Sequence, residues 1–268
     1  KEAPQTLSGS TDTTATATAK TYEGFTAKEA SVSGNIDGDG SLELSVYYDR
    51  DVHSVSYTLE DKAYGEPVSY KYGESVPKAD PAPAKEGYTF NGWVGEVTVM
   101  GTEDVAVTGS YSINSYDLVY KVDGVEYNKS SVAYNTALTA IAEPTKAGYT
   151  FSGWSTVPAT MPAHAVEVTG TFSANADTAY VVKYYLQNIE NDKYTEDEDA
   201  KVNGTGTTDT EATATVKEFT GFHYNAEAST VKGSIAGDGS LELSVYYDRD
   251  LFTVTWQDEN GVAIETDN

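Results

Sequence analysis

The sequence predicts a mainly β protein, built of small α+β modules in tandem. Residues 39–51, D-G-S-L-E-L-S-V-Y-Y-D-R-D, return unchanged at 238–250. Within this word Leu42, Leu44 and Val46 alternate with polar residues, which is the period of a half-buried strand that follows an Asp-Gly turn. Tyr is abundant at 21 residues and Met is scarce at 2, a composition that favours strands. A strand-forming segment that recurs with an identical sequence indicates repeated modules.

The charge and the cysteine count exclude several classes of function. The 268 residues include 17 basic and 42 acidic residues, for a formal net charge of -25. Such a chain repels a nucleic-acid backbone and an anionic membrane, so we expect neither as a partner, and no apolar run predicts membrane insertion. Because the sequence contains no cysteine, it forms no disulfides, thiolate metal sites or cysteine nucleophiles. An acidic, Thr- and Tyr-rich chain of this kind is typical of an exported surface protein.

The repeated word closes a first kind of module, module A, whose complete copy we place at residues 177–250. We predict its strands near 179–187, 200–206, 221–231 and 240–248. A short helix is predicted from about 210 to 218, with Asp209 or Thr210 as its cap. Residues 1–51 form a partial copy that has no counterpart of the first strand. We therefore expect residues 1 to about 20 to be incompletely folded.

A second kind, module B, occupies residues 52–114 and 115–176. The heptad G-Y-T-F-N-G-W at 87–93 answers G-Y-T-F-S-G-W at 148–154. Each copy predicts a first strand, a second strand, a Pro/Ala/Lys connection, an aromatic strand and a final alternating strand. The first two strands are predicted at Ser54–Leu59 and Pro67–Tyr72 in one copy, and at Tyr116–Val122 and Ser131–Tyr134 in the other.

Residues 251–268 begin a third, truncated module B. Phe252, Val254 and Trp256 share one face of a predicted hairpin, and Glu259–Gly261 supplies its turn. The order along the chain is therefore partial A, B, B, A, partial B. No Gly/Ser-rich or Pro-rich linker separates the modules, so we expect an elongated, fairly stiff array in which the two A-to-B connections have the same geometry.

Two family resemblances follow from these motifs. The G-Y-T-F-x-G-W heptad and V-P-A-T-M-P-A-H-A-V-E-V-T-G-T-F at 157–172 resemble the Listeria-Bacteroides repeat, also called the internalin B-type B repeat. Module A, with Y-V-V-K-Y-Y-L at 180–186, is similar to mucin-binding-protein (MucBP) repeats. Both resemblances imply β-grasp, ubiquitin-like modules of Gram-positive surface proteins, with adhesion or stalk roles and no catalytic residues. The first module B departs from its family at 94–104, so we do not expect that loop to share the shape of the second copy.

The sequence predicts no catalytic, cofactor-binding or metal-binding residues. Asn35–Ser41 begins like a calcium loop, but Val46 stands at the twelfth position, where a Glu is required. A Gly-rich hairpin turn is the simpler interpretation. The three histidines, His53, His164 and His223, lie in three different modules and make no shared site. An amide cross-link would need Lys183 and Asp248 to face each other on neighbouring strands.

The aromatic residues of the heptads are candidate ligand-stacking residues, with core packing as the alternative. Alternation places Tyr88 and Phe90 on one face of the strand and Trp93 on the other, unless the strand ends or bulges at the Gly. We therefore expect Trp93 and Trp154 to be exposed, and with Tyr88 and Tyr149 they form the predicted stacking set.

The function predicted from the sequence is a non-catalytic segment of a bacterial cell-surface adhesin that serves as a stiff repeat stalk. The segment would be extracellular, with attachment to the cell wall through another part of the protein. The alternative is a receptor-like module that binds a host ligand, such as a mucin glycan or other host glycoprotein, a matrix protein or an immunoglobulin. A spacer tolerates surface substitutions, whereas a receptor loses binding when one exposed aromatic cluster is changed.

Overall fold

The computed structural model describes residues 3–267, and within that range the chain forms strands, turns and loops without a helix. The strands of the first half are β1 (Thr14–Thr18), β2 (Phe25–Ala27), β3 (Ser31–Asn35), β4 (Tyr48–Arg50), β5 (Val52–Leu59), β6 (Lys62–Ala63), β7 (Val68–Lys71), β8 (Tyr88–Val94), β9 (Val105–Ile113), β10 (Ser115–Val122) and β11 (Val125–Ala133). Those of the second half are β12 (Tyr149–Phe151), β13 (Val166–Gly170), β14 (Phe172–Ala174), β15 (Thr178–Gln187), β16 (Tyr194–Glu196), β17 (Val202–Gly206), β18 (Glu211–Thr213), β19 (Phe222–Thr230), β20 (Lys232–Ser234), β21 (Glu242–Arg249), β22 (Val254–Gln257) and β23 (Ala263–Asp267). The predicted mainly β class is confirmed.

The chain divides into two compact units. The first contains the described residues up to Ser115 together with Ala133–Asn135. The second contains Tyr116–Val132 and the described residues from Thr136 onward. Each unit has its own sheets and its own buried apolar residues, which are described separately below.

The main sheet of the first unit has the order β6-β5-β9-β8, with β7 also paired to β5. Strand β5 runs parallel to β9, with Val55 opposite Val105, and β8 returns antiparallel along β9. Alternate residues of β5 and β9 point into one core, since strand side chains alternate between the faces. That core is centred on Val55, Val76, Met100 and Val107.

The largest sheet of the second unit has the order β16-β15-β21-β19, with β17 also paired to β15. As in the first unit, the two central strands run parallel: β15 pairs with β21, and Val181 lies opposite Glu242. A second sheet, β11-β10-β13, repeats the arrangement, with β10 parallel to β13. The fully buried side chains Tyr184, Leu243 and Tyr247 dominate the larger core.

The two copies of the repeated segment, residues 39–51 and 238–250, differ in structure. In the second copy Glu242–Arg249 forms the eight-residue strand β21, as predicted. In the first copy only Tyr48–Arg50 forms a strand, although residues 41–48 keep an alternation of more and less exposed positions. The reason lies in the partners of β21, since it is paired on one side by β15. Among the described residues, no strand runs parallel to residues 41–47.

The predicted helix near 210–218 is wrong. Glu211–Thr213 is strand β18, which pairs antiparallel with β20, and Asp209 has a φ of +63°, which no N-cap residue adopts. Ala212 and Ala214 are buried, while Thr213 between them and Thr215 after them are exposed. The A-T-A-T sequence therefore carries the period of two that belongs to a strand, and its β-branched Thr residues favour the same state.

The loop that departs from the repeat family nevertheless places one residue as the second copy does. Met100 and Met161 are 1% and 0% exposed, and each lies at the centre of its core. The backbone N–H of Met100 donates to Glu74 O at 2.9 Å, and that of Met161 donates to Thr136 O at 2.9 Å. The different shape expected for this loop therefore does not extend to its Met.

The hairpin predicted after residue 251 is confirmed. Strand β22 pairs antiparallel with β23, and Asp258 Oδ1 accepts hydrogen bonds from the backbone N–H groups of Asn260 and Val262 at 2.9 and 2.8 Å. Phe252, Val254 and Trp256, whose shared face was predicted, are all exposed.

Asp248 is the second-last residue of β21 and is held by side chains of two other strands. Its carboxylate accepts hydrogen bonds from Tyr194 Oη and from Asn225 Nδ2, and the Tyr194 bond is the main reason that the pKa of Asp248 lies below its ordinary value. Lys183 instead forms ion pairs with Glu242 at 2.8 Å and Glu196 at 3.6 Å, so the two groups of the suggested cross-link face other partners.

We predict that Asp248→Asn lowers the free energy of unfolding by about 1 kcal/mol at pH 7, since it removes charge-assisted hydrogen bonds at a partly exposed site. The folded-state pKa is lowered, so this contribution is present above the ordinary pKa of about 4 and disappears as the pH falls through the folded value. Urea denaturation at pH 7 and pH 3 measures both effects. The matched control is Asp49→Asn, because the Asp49 side chain is 70% exposed and its ion pair with Lys28 spans 3.4 Å. Equal losses in the two variants would contradict the prediction.

Candidate functional site

In residues 3–267, four glycines with left-handed backbone stand directly before a strand that begins with an aromatic residue. The glycines are Gly24, Gly87, Gly148 and Gly221, with φ values of +75°, +75°, +76° and +83°. The aromatic residues that follow are Phe25, Tyr88, Tyr149 and Phe222. Glycine is required at such a φ because a Cβ atom would approach the following carbonyl oxygen.

Each of these glycines binds an Asp or Asn that directly follows the last residue of a strand, namely β4, β9, β14 or β21. The glycine carbonyl accepts a hydrogen bond from the backbone N–H of Asp51, Asn114, Asn175 or Asp250, at 2.9, 2.9, 2.8 and 3.0 Å in chain order. In three copies the side chain of this residue also accepts a hydrogen bond from the Thr two positions after the glycine. These bonds join Thr26 to Asp51, Thr89 to Asn114 and Thr150 to Asn175, at 2.6, 2.7 and 2.7 Å.

The fourth copy has His223 at the Thr position. Its Nδ1 lies 2.9 Å from Asp250 Oδ1, so the same contact is made between two ionisable groups. The backbone bond from Asp250 to Gly221 matches the one from Asp51 to Gly24. The two copies of the D-R-D sequence therefore end in the same backbone hydrogen bond. The expectation that the two A-to-B connections have the same geometry stays a prediction.

A residue from the next segment of the chain completes the first three copies. The carbonyl of the Asp or Asn accepts a hydrogen bond from the N–H of Tyr72, Tyr134 or Thr208, at 2.8, 2.8 and 2.9 Å. We call the set of glycine, Asp or Asn, and covering residue a Gly–Asx clamp. The three closed clamps are Gly24/Asp51/Tyr72, Gly87/Asn114/Tyr134 and Gly148/Asn175/Thr208.

The covering residue lies directly over the glycine. A Cβ atom on Gly24 or Gly87 would lie 2.2 Å from the ring of Tyr72 or Tyr134. A Cβ on Gly148 would lie 2.6 Å from Thr208 Oγ1. At Gly221, by contrast, no atom of the described residues lies within 4 Å of the Cβ position. The closed clamps therefore require glycine for close contact as well as for its φ.

Two of the predicted ligand-stacking residues, Tyr88 and Tyr149, directly follow the glycines of closed clamps. The Tyr88 ring meets the Tyr134 ring edge to face at 6.0 Å, and Lys85 Nζ lies 4.0 Å from the centre of the Tyr88 ring. Lys146 Nζ lies 3.5 Å from the centre of the Tyr149 ring, and the Tyr149 hydroxyl donates to Asp209. Both tyrosines are half-buried against their own chain. Ligand stacking at Tyr88 and Tyr149 stays a prediction.

The expectation that Trp93 and Trp154 are exposed is wrong. Both are half-buried and pack against the cores of their repeats. The alternation of faces is interrupted before both Trp residues, since β8 has a bulge between Phe90 and Trp93 and β12 ends at Phe151. The indole N–H of Trp93 donates to Asp80 O at 2.8 Å, and that of Trp154 donates to Ile141 O at 3.1 Å. The loss of alternation turns both rings toward the core.

The other candidate positions are occupied by local contacts. Asp39 Oδ1 accepts hydrogen bonds from the Ser41 hydroxyl and backbone N–H at 2.7 and 3.0 Å, which hold the pKa of Asp39 below its ordinary value. His53 lies 3.8 Å from Asp104, and His164 contacts the Ala165 carbonyl. Residues 3–267 contain no group of three or more His, Asp or Glu side chains placed to hold a metal ion. In the same range no helix is long and apolar enough to cross a membrane.

The clamp was not recognised in the sequence, although a signal for it is present. The spacing from glycine to Asp or Asn is 27 residues in three copies, at 24 to 51, 87 to 114 and 148 to 175. In the fourth copy, from Gly221 to Asp250, it is 29. A recurrent Gly-aromatic pair at a constant distance before an Asp or Asn would have pointed to this contact.

Comparison with known proteins identifies one repeat family. The Listeria-Bacteroides repeat domain model matches residues 53–114 and 116–179. This supports the resemblance predicted for the two B modules, while the MucBP-like resemblance of module A stays a prediction.

Three curated proteins share part of the sequence. Internalin H of Listeria monocytogenes is 34% identical over 110 residues, which cover 37% of this chain and 20% of that protein. A putative membrane protein of Evansella cellulosilytica is 30% identical over 121 residues, covering 39% and 18%. A putative Gly-rich membrane protein of the same organism is 32% identical over 83 residues, covering 26% and 10%. The chain thus spans a fifth or less of the length of these relatives.

We predict that Gly87→Ala opens its clamp while Gly221→Ala does not disturb a clamp. Both substitutions place a side chain at a positive φ, which costs about 1–2 kcal/mol. Only Gly87→Ala must also displace a tyrosine ring, at a further cost of about 1–3 kcal/mol. Amide hydrogen exchange measures the result, since the Tyr134 N–H should lose protection in Gly87→Ala and keep it in Gly221→Ala. Equal protection in the two variants would show that the close contact over Gly87 has no energetic effect.

Proposed function

We propose that this chain is a non-catalytic segment of a bacterial cell-surface adhesin, in which small β modules in tandem form a stiff repeat stalk. The observation that carries the proposal is the Gly–Asx clamp, which closes three times with the same backbone hydrogen bonds. A spacer needs each connection between modules to be held, and the clamp supplies a holding contact at each closed connection.

The proposed modules are residues 1–51, 52–114, 115–176, 177–250 and 251–268. The clamp residues Asp51, Asn114, Asn175 and Asp250 lie at or next to the proposed boundaries, and each covering residue comes from the following module. A clamp therefore joins the last strand of one module to the second strand or following loop of the next. Three hydrogen bonds restrict each closed connection. A ring contact is added in the first two, and a further hydrogen bond from Thr208 Oγ1 to Gly148 O at 2.8 Å is added in the third. Each hydrogen bond contributes about 0.5–1.5 kcal/mol.

We further propose that each complete module has the β-grasp arrangement. Parallel pairing of first and last strands supports this, since it occurs in β5 with β9, β10 with β13, and β15 with β21. In the first and third of these sheets antiparallel strands flank the central parallel pair. The segment that connects the flanking strands lacks a helix in the described residues, which departs from the usual form of that fold.

A location at the bacterial cell surface is supported by the relatives and by the composition. One relative carries the name internalin, and two carry the name membrane protein. A net charge of -25 keeps an exposed repeat protein soluble. The segment is proposed to be extracellular, with attachment to the cell wall through another part of the protein.

The connection between the two B modules gives the sharpest test of the stalk. Because the sequence contains no cysteine, spin labels can be placed only where Cys is introduced. We choose the exposed residues Thr102 and Thr156, one in each B module. Thr102→Cys/Thr156→Cys should give a narrow label-to-label distance distribution in a pulsed electron resonance measurement.

Addition of Gly87→Val should broaden that distribution, because a branched side chain cannot fit beneath Tyr134. Gly221→Val in the same labelled chain is the matched control and should leave the width unchanged. Circular dichroism verifies that both variants retain their β structure. A broad distribution in the chain without a glycine substitution would refute the stiff stalk.

A further inference from the structure

The first B module contains a cleft of about 380 Å³ on the surface of its main sheet. Its wall consists of the aromatic rings of Tyr57, Tyr64, Tyr70 and Trp93, and its rim carries Lys78 and Asp80. We propose that this cleft binds one neutral pyranose ring of a glycan. The proposal adds a binding site to the stalk and does not depend on the stalk being stiff.

The rings form a contiguous aromatic surface. Tyr57 meets Trp93 edge to face at 5.2 Å, and Tyr64 lies tilted by 46° at 5.3 Å from Trp93. The indole N–H of Trp93 is already bonded to the Asp80 carbonyl, so this ring offers a ligand its apolar surface. The C–H groups on one face of a pyranose are weakly positive and pack well on the negative faces of aromatic rings.

Polar groups stand beside the rings, as a sugar site requires. Burial raises the pKa of Tyr57, and the nearby Glu96 carboxylate raises it further, so its hydroxyl keeps its proton near neutral pH. Glu96 Oε1 is fixed by a hydrogen bond from the Ala79 N–H at 2.9 Å. Lys78 and Asp80 are exposed at the rim. Donors and acceptors of this kind can bind the ring hydroxyls of a sugar while the aromatic rings bind its C–H face.

The second B module has different residues at several of the corresponding positions. The two repeats align at their Trp residues, because the indole N–H bonds the carbonyl 13 residues earlier in both. The first repeat has Tyr70 and Asp80 where the second has Val132 and Ile141. Val132 and Ile141 pack against the second core, and Tyr120 there is only 1% exposed. Tyr57, its counterpart, remains half-buried.

The size and charge of the cleft favour a neutral monosaccharide unit over other ligands. A volume of about 380 Å³ is near the lower limit for small-molecule sites, and it suits a ligand of one ring. A protein partner would need about 800 Å² of surface on each side. Asp80 lines the cleft and Glu96 lies close to Tyr57, so two carboxylates stand near the cleft against the single ammonium of Lys78 in its lining, which disfavours an anionic sugar.

The test uses the intact chain with its Trp indoles labelled with ¹⁵N. The three indole signals are assigned with Trp154→Phe and Trp256→Phe. The probes are the methyl glycosides of glucose, galactose, N-acetylglucosamine and N-acetylgalactosamine, with N-acetylneuraminic acid as the anionic comparison. We expect at least one neutral glycoside to shift the Trp93 signal saturably, with a dissociation constant on the order of 1 mM.

Two variants make the first repeat resemble the second, so both replace a residue by one that the fold already accommodates. Tyr70→Val and Asp80→Ile should each raise the dissociation constant about tenfold. Tyr64→Ala and Tyr127→Ala form a matched pair, because each tyrosine lies beside the Trp of its repeat. Tyr64→Ala should weaken binding, and Tyr127→Ala should leave it unchanged.

The proposal is overturned if none of the four neutral glycosides moves the Trp93 signal. It also fails if the Trp154 signal shifts in parallel, or if Tyr70→Val binds as well as the original chain. A response to mucin from which the glycans have been removed, without a response to any glycoside, would identify a protein ligand and refute the sugar. These outcomes are independent of the spin-label distances between positions 102 and 156, which test the stalk.

Discussion

The hydrogen bond from the Asp or Asn N–H to the carbonyl of a left-handed glycine is the contact on which the connections in this chain depend. It ties the end of each last strand to the turn that begins with Gly24, Gly87, Gly148 or Gly221. The bond leaves the carbonyl of the Asp or Asn free for the next segment, and that segment covers the glycine in three cases. A side chain on the glycine would therefore disturb its φ, the backbone bond and the covering contact together.

Parallel pairing of two strands is common to the three larger sheets. Strand β21 is well formed because β15 and β19 flank it, and its inward residues Leu243 and Val245 are fully buried. The same word at 39–51 lacks a neighbour like β15 and keeps only a three-residue strand. An identical sequence thus gives different structures because strand formation depends on the partner more than on local preference.

The strands of the larger sheets could be predicted from alternation, since period-two patterns such as that of residues 240–248 report directly on burial. The helix near 210–218 was misread because Ala is a strong helix former, whereas the Ala-Thr alternation carried the true signal. The burial of Trp93 and Trp154 could not be predicted, because a bulge in one copy and a strand end in the other turn each indole ring to the opposite side of the sheet from the one that alternation predicts. The clamps were missed because each covering residue lies 20 to 33 positions beyond its Asp or Asn, at 51 to 72, 114 to 134 and 175 to 208.

The central claim is that closed clamps hold successive modules as one body. Backbone ¹⁵N relaxation of the intact chain tests it most directly, because it reports the rotational tumbling of each module separately. The account predicts that residues 52–114 and 115–176 share one slow correlation time, set by the mass of the whole chain. Separate, faster correlation times for the two segments, each typical of a free module of about 60 residues, would contradict it.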